Sequence, residues 1–374
     1  MTEPHPRDAQ FAQADYSTVL DTLTHEPTDP PPALDVHTPS DQAVHHAWLK
    51  KLVPGIETIA AKYHLGNWVV DRQSGQRRWE SMPIYVRIGM QMLYHGKEQT
   101  KLVESARVEA MLKAQSIKQG VAYDTPDQAL EHIQAFVKTY SINCEELLEP
   151  DLTQYPTFNT FFYRKLRPNA RPPSNPQDPK IVSSGADCRL TVFETVDSAK
   201  EFWIKDRNFT IASLLQDDSL ANTFENGSVV IFRLAPADYH RYHSPVTATV
   251  ESTTHIPGQY YTVNPCAVNE DLPVFTANKR DVTTLSASRG PDSTPIQVAF
   301  VQIGAMLVGS IVQTVTQNQT VSRGDELGYF AYGGSTIVML VPHGSVEWDR
   351  DLLDNSKNKL ETAIRVGEQI GKFV

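Results

Sequence analysis

The sequence predicts an α+β protein, in which a helical N-terminal region is followed by a β-rich C-terminal domain. From about residue 43 to residue 150, apolar side chains recur at helical spacing. Beyond residue 180 the chain changes to short β-branched runs separated by Gly, Pro, Asn and Asp, as is typical of strands joined by turns. The 374 residues are sufficient for one large domain or for two of ordinary size.

This pattern divides the chain into three regions. Residues 1–40 are polar and rich in proline, and we expect them to form a disordered tail. Residues 41–150 are expected to form a helical N-terminal domain, in which Pro83 suits the first turn of a helix. Residues 151–374 are expected to form the β-rich domain.

Composition limits the partners of the protein. The formal net charge of −10 at pH 7 argues against nucleic acid or an anionic membrane as the main partner. The three cysteines, Cys144, Cys188 and Cys266, are widely spaced and form no metal-binding pattern. Their odd number indicates no disulfide framework, which favours a reducing compartment.

The sequence also bears on location. The N-terminus has neither the apolar core of a secretory signal nor the Arg-rich amphipathic pattern of a mitochondrial presequence. No run approaches the roughly 20 apolar residues that a membrane helix needs. We therefore predict a soluble cytoplasmic protein with no stable insertion into a membrane.

The most informative local feature is the sequence Gly333-Gly334-Ser335-Thr336, which follows a hairpin-like stretch and precedes the apolar residues 337–341. Gly-Gly-Ser is ordinary turn chemistry, so a simple hairpin turn is one interpretation. Self-cleavage is the other. A serine hydroxyl held between two strands can attack the carbonyl before it and convert the amide to an ester. β-Elimination then releases the upstream chain, and the serine remnant becomes an N-terminal pyruvoyl group.

Further motifs accompany this sequence. They occupy residues 160–172, 185–187, 238–245, 260–265 and 304–311. Together the motifs resemble the phosphatidylserine decarboxylase family of pyruvoyl enzymes, and the resemblance runs from about Phe158 to the C-terminus. It implies that the β-rich region is a phosphatidylserine-decarboxylase-like catalytic domain whose covalent pyruvoyl cofactor derives from Ser335.

The resemblance also implies roles in maturation. Ser335 is expected to be the nucleophile, and Gly334 is expected to supply the carbonyl that it attacks. A serine hydroxyl needs a base, and His243 is the candidate. Asp187 is expected to orient His243 and to stabilise its imidazolium.

Other motif residues are expected to support the chemistry. Gly333 permits the unusual backbone angles of the cleavage site, and Thr336 helps to position the ester. In the mature enzyme the substrate amine forms a Schiff base with the pyruvoyl ketone. His240 is expected to protonate the carbanion left by carbon dioxide. The alternatives for the histidine pair are a metal site or two structural histidines. Two histidines without a third ligand at a typical spacing are a weak case for a metal site, so no metal is predicted. The chain departs from the family at Cys188, where glycine is usual.

The substrate prediction rests on a second resemblance. Residues 66–75 and 80–89 are similar to the helical domain of a soluble, fungal-type branch that includes tryptophan decarboxylases. We therefore predict decarboxylation of a free aromatic L-amino acid such as tryptophan. One alternative is decarboxylation of phosphatidylserine to phosphatidylethanolamine in phospholipid biosynthesis. The other is a non-catalytic relative that uses the helical domain as a binding module.

Cleavage between Gly334 and Ser335 would divide the chain into a β chain of residues 1–334 and an α chain of residues 335–374, which is 40 residues long. The exposed edge of a β-rich domain favours a homodimer.

Overall fold

The structure, a computed structural model, describes residues 66–81, 121, 123–204, 206, 209–259, 261, 273–304, 310–331 and 335–374. The predicted tail lies outside the described residues, as do residues 41–65 and 82–120 of the predicted helical domain.

The strands in these ranges are β1 (Gly66–Asp71), β2 (Arg77–Ser81), β3 (Ile181–Ser183), β4 (Cys188–Phe193), β5 (Ser228–Leu234), β6 (Arg241–His243), β7 (Ala248–Ile256), β8 (Arg280–Ala287), β9 (Ile296–Gly304), β10 (Ile311–Gln313), β11 (Thr320–Val321), β12 (Glu326–Phe330), β13 (Ser335–Val341), β14 (Val346–Trp348), β15 (Glu361–Ile364) and β16 (Gln369–Phe373). The α-helices are α1 (Ala129–Tyr140), α2 (Phe158–Phe162), α3 (Val196–Phe202), α4 (Ile211–Leu215), α5 (Asp218–Thr223), α6 (Val274–Ala277) and α7 (Arg350–Lys357). Among the described residues, no helix is long and apolar enough to cross a bilayer.

One large sheet organises the fold and confirms the predicted α+β class. Its ten strands follow the order β11-β7-β8-β9-β13-β5-β4-β15-β1-β2. β1 and β15 run parallel, and the other neighbours run antiparallel. The central strand β13 is buried at every position, and its β-branched residues suit a pleated surface that is covered on both sides. Two three-stranded sheets, β10-β12-β6 and β14-β16-β3, complete the β structure.

The main hydrophobic core joins one face of the large sheet to the two small sheets. Phe232, Phe300 and Met339 contribute from the large sheet, and Tyr242 contributes from β6. Alternate residues of a strand share a face, so Ser335 lies on the same face of β13 as Met339. The first residue of β13 therefore faces this core.

The prediction of a helical domain is wrong for residues 66–81, which form the hairpin β1–β2. Val69 and Val70 are β-branched and buried, which favours a strand. The N–H of Gly75 donates to the carbonyl oxygen of Asp71 at 2.8 Å. Gly75 also adopts a φ of +68°, which glycine tolerates. β1 then pairs with β15, so the hairpin extends the large sheet.

A second hydrophobic cluster joins α1 to α2. The two helices bury Ile133, Phe136, Phe158, Phe161 and Phe162. The rings of Phe136 and Phe158 meet edge to face, with their centroids 5.4 Å apart. The predicted domain boundary at residue 150 therefore crosses this cluster, because α1 precedes the boundary and α2 follows it.

Residues 335–374, the predicted α chain, are interleaved with the rest of the fold. β13 lies between β5 and β9, and β15 lies between β4 and β1. In a small sheet, β16 lies between β14 and β3. Three strands of this segment are thus hydrogen-bonded to strands of the predicted β chain.

We expect the two chains to remain associated after cleavage, because separating them would leave the backbone groups of three buried strands without partners. In native size-exclusion chromatography the 40-residue fragment should co-elute with the β chain and should separate only in denaturant. Ser335→Ala, which should stay uncut, gives the control elution volume. Loss of the fragment under native conditions would contradict the interleaved arrangement.

Candidate active site

The backbone of Ser335 is fixed on both sides by neighbouring strands. In the register of the sheet, Ser335 lies opposite Leu234 of β5 and opposite Gly304 of β9. Its side chain is fully buried, and its Oγ has no hydrogen-bond partner among the described residues. A buried polar atom without a partner costs about 1–3 kcal/mol. A buried polar atom of this kind calls for an explanation, and a catalytic role is one that is known in native proteins.

The other residues of the cleavage motif differ in position. Thr336 lies on the opposite face of β13 from Ser335, because successive strand residues alternate. The Thr336 Oγ1 is also buried without a partner in the described part of the chain. Gly333 and Gly334 lie outside the described residues, so their predicted roles stay predictions.

His240 follows a tight turn at the end of β5, in which the Asp238 N–H donates to the carbonyl oxygen of Ala235 at 2.9 Å. The Nδ1 of His240 lies 2.9 Å from the carbonyl oxygen of Asp238. A carbonyl oxygen can only accept, so Nδ1 carries the proton and Nε2 of the neutral ring has a free lone pair. This Nε2 is buried, and no described residue hydrogen-bonds to it.

The surroundings of His240 favour the neutral ring. The ring of Phe162 packs against the imidazole at a tilt of 38°, with the ring centroids 3.9 Å apart. The Nη2 of Arg164 donates to the carbonyl oxygen of Asp238 at 3.2 Å. Burial lowers the pKa of His240 to about 3, and the charge of Arg164 acts in the same direction. The ring therefore presents a proton acceptor at rest, whereas the sequence led us to expect an acid.

His243 has the same tautomer in a different setting. Its Nδ1 donates to the carbonyl oxygen of Gly324 over 2.9 Å, which leaves a lone pair on Nε2. The hydroxyl of Tyr239 lies 3.3 Å from this Nε2 and donates to it. Burial lowers the pKa of His243. The ring is thus neutral and suited to act as a base.

Asp187 does not make the contact that the sequence led us to expect. Its Oδ2 accepts from Nη2 of Arg171 at 2.8 Å and from Nε at 3.0 Å. Its Oδ1 accepts from the backbone N–H of Val366 at 2.8 Å. The described hydrogen bonds of this carboxylate therefore go to Arg171 and Val366 instead of His243, because a forked guanidinium is a strong partner for a carboxylate.

A close backbone contact nevertheless places the Asp187 segment against His243. The N–H of His243 donates to the carbonyl oxygen of Gly185 at 2.7 Å. A Cβ atom added to Gly185 would lie 2.7 Å from the carbonyl oxygen of His243 and 2.8 Å from Cζ of Phe300.

Cys188, the departure from the family pattern, packs its buried side chain into the main core.

Sequence reasoning missed several supporting residues. Arg171, Phe162 and Arg164 all lie in the motif at residues 160–172, and Tyr239 lies in the motif that contains both histidines. The feature of the sequence that could have identified these residues was their position inside the two motifs. Their contacts join segments that are distant in the sequence, so spacing alone gave them no role.

Comparison with known proteins identifies the same region. A model of the family described as phosphatidylserine decarboxylase matches residues 158–372. Phosphatidylserine decarboxylase proenzyme 2 of Komagataella phaffii is 41% identical over 340 residues, which cover 89% of this chain and 32% of that protein. A proenzyme 2 of rice, Oryza sativa subsp. japonica, is 39% identical over 89% of this chain and 54% of its own length.

A bacterial relative is closer in length. Phosphatidylserine decarboxylase proenzyme of Fusobacterium nucleatum is 36% identical over 65% of this chain and 79% of its own length. By contrast, the chain spans about a third of the Komagataella protein, 32% of its length. The names of these relatives do not support the expected similarity to a tryptophan decarboxylase.

Gly185→Ala should impair maturation, because the added methyl group would meet the backbone of His243 and the ring of Phe300. We expect self-cleavage to slow by about tenfold or more, since small misplacements of reacting groups have effects of this size. The yield of the 40-residue fragment over time measures the change. Gly344→Ala is the control, because its added Cβ would contact nothing within 4 Å, and its φ of +67° makes the substitution a backbone strain without a clash at His243. Cleavage of Gly185→Ala at the control rate would contradict the prediction.

The low pKa of His240 predicts a loss of stability in acid. The folded ring stays neutral down to about pH 3, whereas a histidine in an unfolded chain binds a proton below about pH 6.5. Between these values the unfolded state binds more protons than the folded state. The free energy of unfolding therefore decreases as the pH is lowered, by up to about 1.4 kcal/mol per pH unit from this group. Urea unfolding of Ser335→Ala with and without His240→Gln should show a shallower decline in the double variant. Equal declines would contradict the burial of a neutral ring.

Proposed function

Because the chain belongs to the phosphatidylserine decarboxylase family, a family of carboxy-lyases, we propose that it is a pyruvoyl-dependent decarboxylase. Its proposed substrate is phosphatidylserine, and its products are phosphatidylethanolamine and carbon dioxide. The observation that carries this proposal is the buried hydroxyl of Ser335 at the start of β13, which has no hydrogen-bond partner among the described residues and lies in a region that the family model matches.

The lipid substrate replaces our expectation of a free aromatic amino acid. The relatives that match most of the chain are named phosphatidylserine decarboxylase proenzymes. The resemblance that led to tryptophan concerned residues 66–75 and 80–89. Residues 66–81 form strands of the large sheet, so they give no support for a separate helical domain with its own specificity.

Self-cleavage begins at the hydroxyl of Ser335. Its Oγ attacks the carbonyl carbon of Gly334, the C–N bond breaks, and the amine of Ser335 takes the proton that Oγ gives up. We assign this transfer to Nε2 of His243, after the Tyr239 hydroxyl has moved away from it. Elimination then removes the Cα proton of the serine remnant, breaks the Cβ–Oγ bond and frees the carboxylate of Gly334. The dehydroalanine that remains becomes an imine by gaining a proton at Cβ and losing one from its nitrogen. Water replaces the remaining nitrogen, which leaves as ammonia, and a ketone remains.

The pyruvoyl ketone, once formed, supplies an electron-accepting carbonyl that binds the amine of the substrate. The chain's own contribution is the movement of a proton. Nε2 of His240 accepts one proton from the incoming ammonium group and later returns it to the carbon that loses carbon dioxide. The burial that lowers the pKa of His240 keeps the protonated ring short-lived, which favours the second transfer.

The tautomer of His240 supports this role, because its Nδ1 is already occupied by the carbonyl of Asp238. Nε2 is therefore the nitrogen that can exchange a proton. We propose that Asp187 acts indirectly, by holding in place the chain segment that lies beside His243. The cytoplasmic location and the homodimer also remain proposals, which cell fractionation and light scattering would test.

An intact denaturing mass spectrum of the purified protein tests the enzyme class. We expect two chains, residues 1–334 and residues 335–374, the second with a pyruvoyl group in place of Ser335. Ser335→Ala should give one chain, since it lacks the attacking hydroxyl. An uncut wild-type chain would overturn the proposal.

The substrate is tested by turnover of phosphatidylserine in mixed micelles and of free L-tryptophan by the same preparation. We expect phosphatidylethanolamine and carbon dioxide from the lipid, with Ser335→Ala as the inactive control. Formation of tryptamine without phosphatidylethanolamine would overturn the lipid assignment and leave the decarboxylase class intact.

A further inference from the structure

A cluster of charged side chains links the N-terminal hairpin to the turn before His240. Its members are Glu80, Arg189, Arg233, Asp238 and Glu361. The Nε of Arg189 lies 2.9 Å from each carboxylate oxygen of Glu80. The Nη1 of the same guanidinium lies 2.5 Å from each carboxylate oxygen of Asp238. Arg189 therefore bridges strand β2 and the turn.

The charges of this cluster do not require Glu80 for neutrality. Arg233 binds Glu361 with contacts of 2.7 and 2.5 Å and reaches Glu80 at 3.4 Å. Two guanidinium groups thus face three carboxylates, and loss of the Glu80 charge would leave two complete ion pairs. A buried cation without a partner, which would be strongly destabilising, does not result.

Glu80 is nevertheless held as an anion. Burial acts to raise its pKa, but Arg189, Arg233 and the charge of the exposed Arg78 outweigh burial and lower the pKa to about 2. The carboxylate engages Nε and Nη2 of Arg189, and Asp238 engages Nη1. With both sides of the fork occupied, the guanidinium has one orientation.

Asp238 transmits this orientation to the site in two ways. Its Oδ2 accepts from the N–H of Ala235 at 2.7 Å, and Ala235 follows the residue that lies opposite Ser335 in the sheet. Its backbone carbonyl oxygen accepts from Nδ1 of His240 at 2.9 Å. A rotation of Asp238 would therefore disturb both the turn and the hydrogen bond that sets the tautomer of His240.

We infer that Glu80 is a positioning residue for His240. Its carboxylate fixes the guanidinium of Arg189, Arg189 fixes Asp238, and Asp238 sets the tautomer and direction of the imidazole. The expected effect on turnover rests on the proposed function, whereas the effect on the ring does not. Glu80 lies outside residues 158–372, which the family model matches, so the hairpin contributes to the site from beyond the family region.

Glu80→Gln tests the inference, because it keeps the shape of the side chain and removes its charge. Asp351→Asn is the matched control. Asp351 accepts from Nε of Arg72 at 2.9 Å, so this substitution removes an ion pair of the same hairpin at its other end. A role limited to docking the hairpin would be disturbed by both substitutions.

In the mature enzyme we expect Glu80→Gln to lower kcat by about tenfold or more, with KM near the wild-type value. Formation of the 40-residue fragment should still reach completion, and Asp351→Asn should keep the wild-type kcat. Wild-type kcat in Glu80→Gln, or equal losses in the two variants, would overturn the inference.

Nitrogen NMR of 15N-histidine-labelled protein tests the ring directly. It is carried out in the uncut Ser335→Ala chain, and His240→Gln identifies the signal. In Ser335→Ala alone we expect the neutral ring of His240 to be protonated at Nδ1. When Glu80→Gln is added, we expect a mixture of both neutral tautomers. An unchanged tautomer would overturn the inference. This measurement needs no activity, so it decides the role of Glu80 even if the wild-type chain proves uncut and the proposed function fails.

Discussion

The two hydrogen-bonded ladders that hold β13 constrain the whole candidate site. β5 and β9 pair with this strand from its first residue, Ser335, up to Val341 and Leu340 respectively. The serine backbone therefore has little freedom, while its hydroxyl faces the core without a partner among the described residues. The end of β5 leads directly into the turn before His240. The register of one strand pair thus sets the relation between Ser335 and that histidine segment.

The two histidines illustrate how one tautomer can serve two environments. Each ring donates its Nδ1 proton to a backbone carbonyl, and each keeps a lone pair on Nε2. The Nε2 of His243 is occupied by the hydroxyl of Tyr239, whereas that of His240 has no partner in the described ranges. Both rings are neutral because burial disfavours the charged form. Backbone carbonyls do not titrate, so the acceptor of each Nδ1 proton stays the same when the pH changes.

The sequence predicted the α+β class and placed Ser335 before an apolar strand, because turn residues and β-branched runs are local signals. It missed the hairpin at residues 66–81, whose strand character depends on pairing with β15 at the far end of the chain. The partner of Asp187 was also missed. Arg171 is 16 residues away in sequence, and Glu80 is 109 residues from Arg189. Contacts over such separations follow from the folded topology, which periodicity does not encode.

The interleaved C-terminal segment also affects the order of events during synthesis. The N–H of Val366 holds Asp187, and Glu361 holds Arg233. Both residues emerge from the ribosome after Ser335, so Asp187 and Arg233 lack these two partners when Ser335 is made. Among the described strands, β1 likewise has only β2 beside it until β15 has been made. If the proposed self-cleavage needs these contacts, it can begin only after translation has passed residue 366.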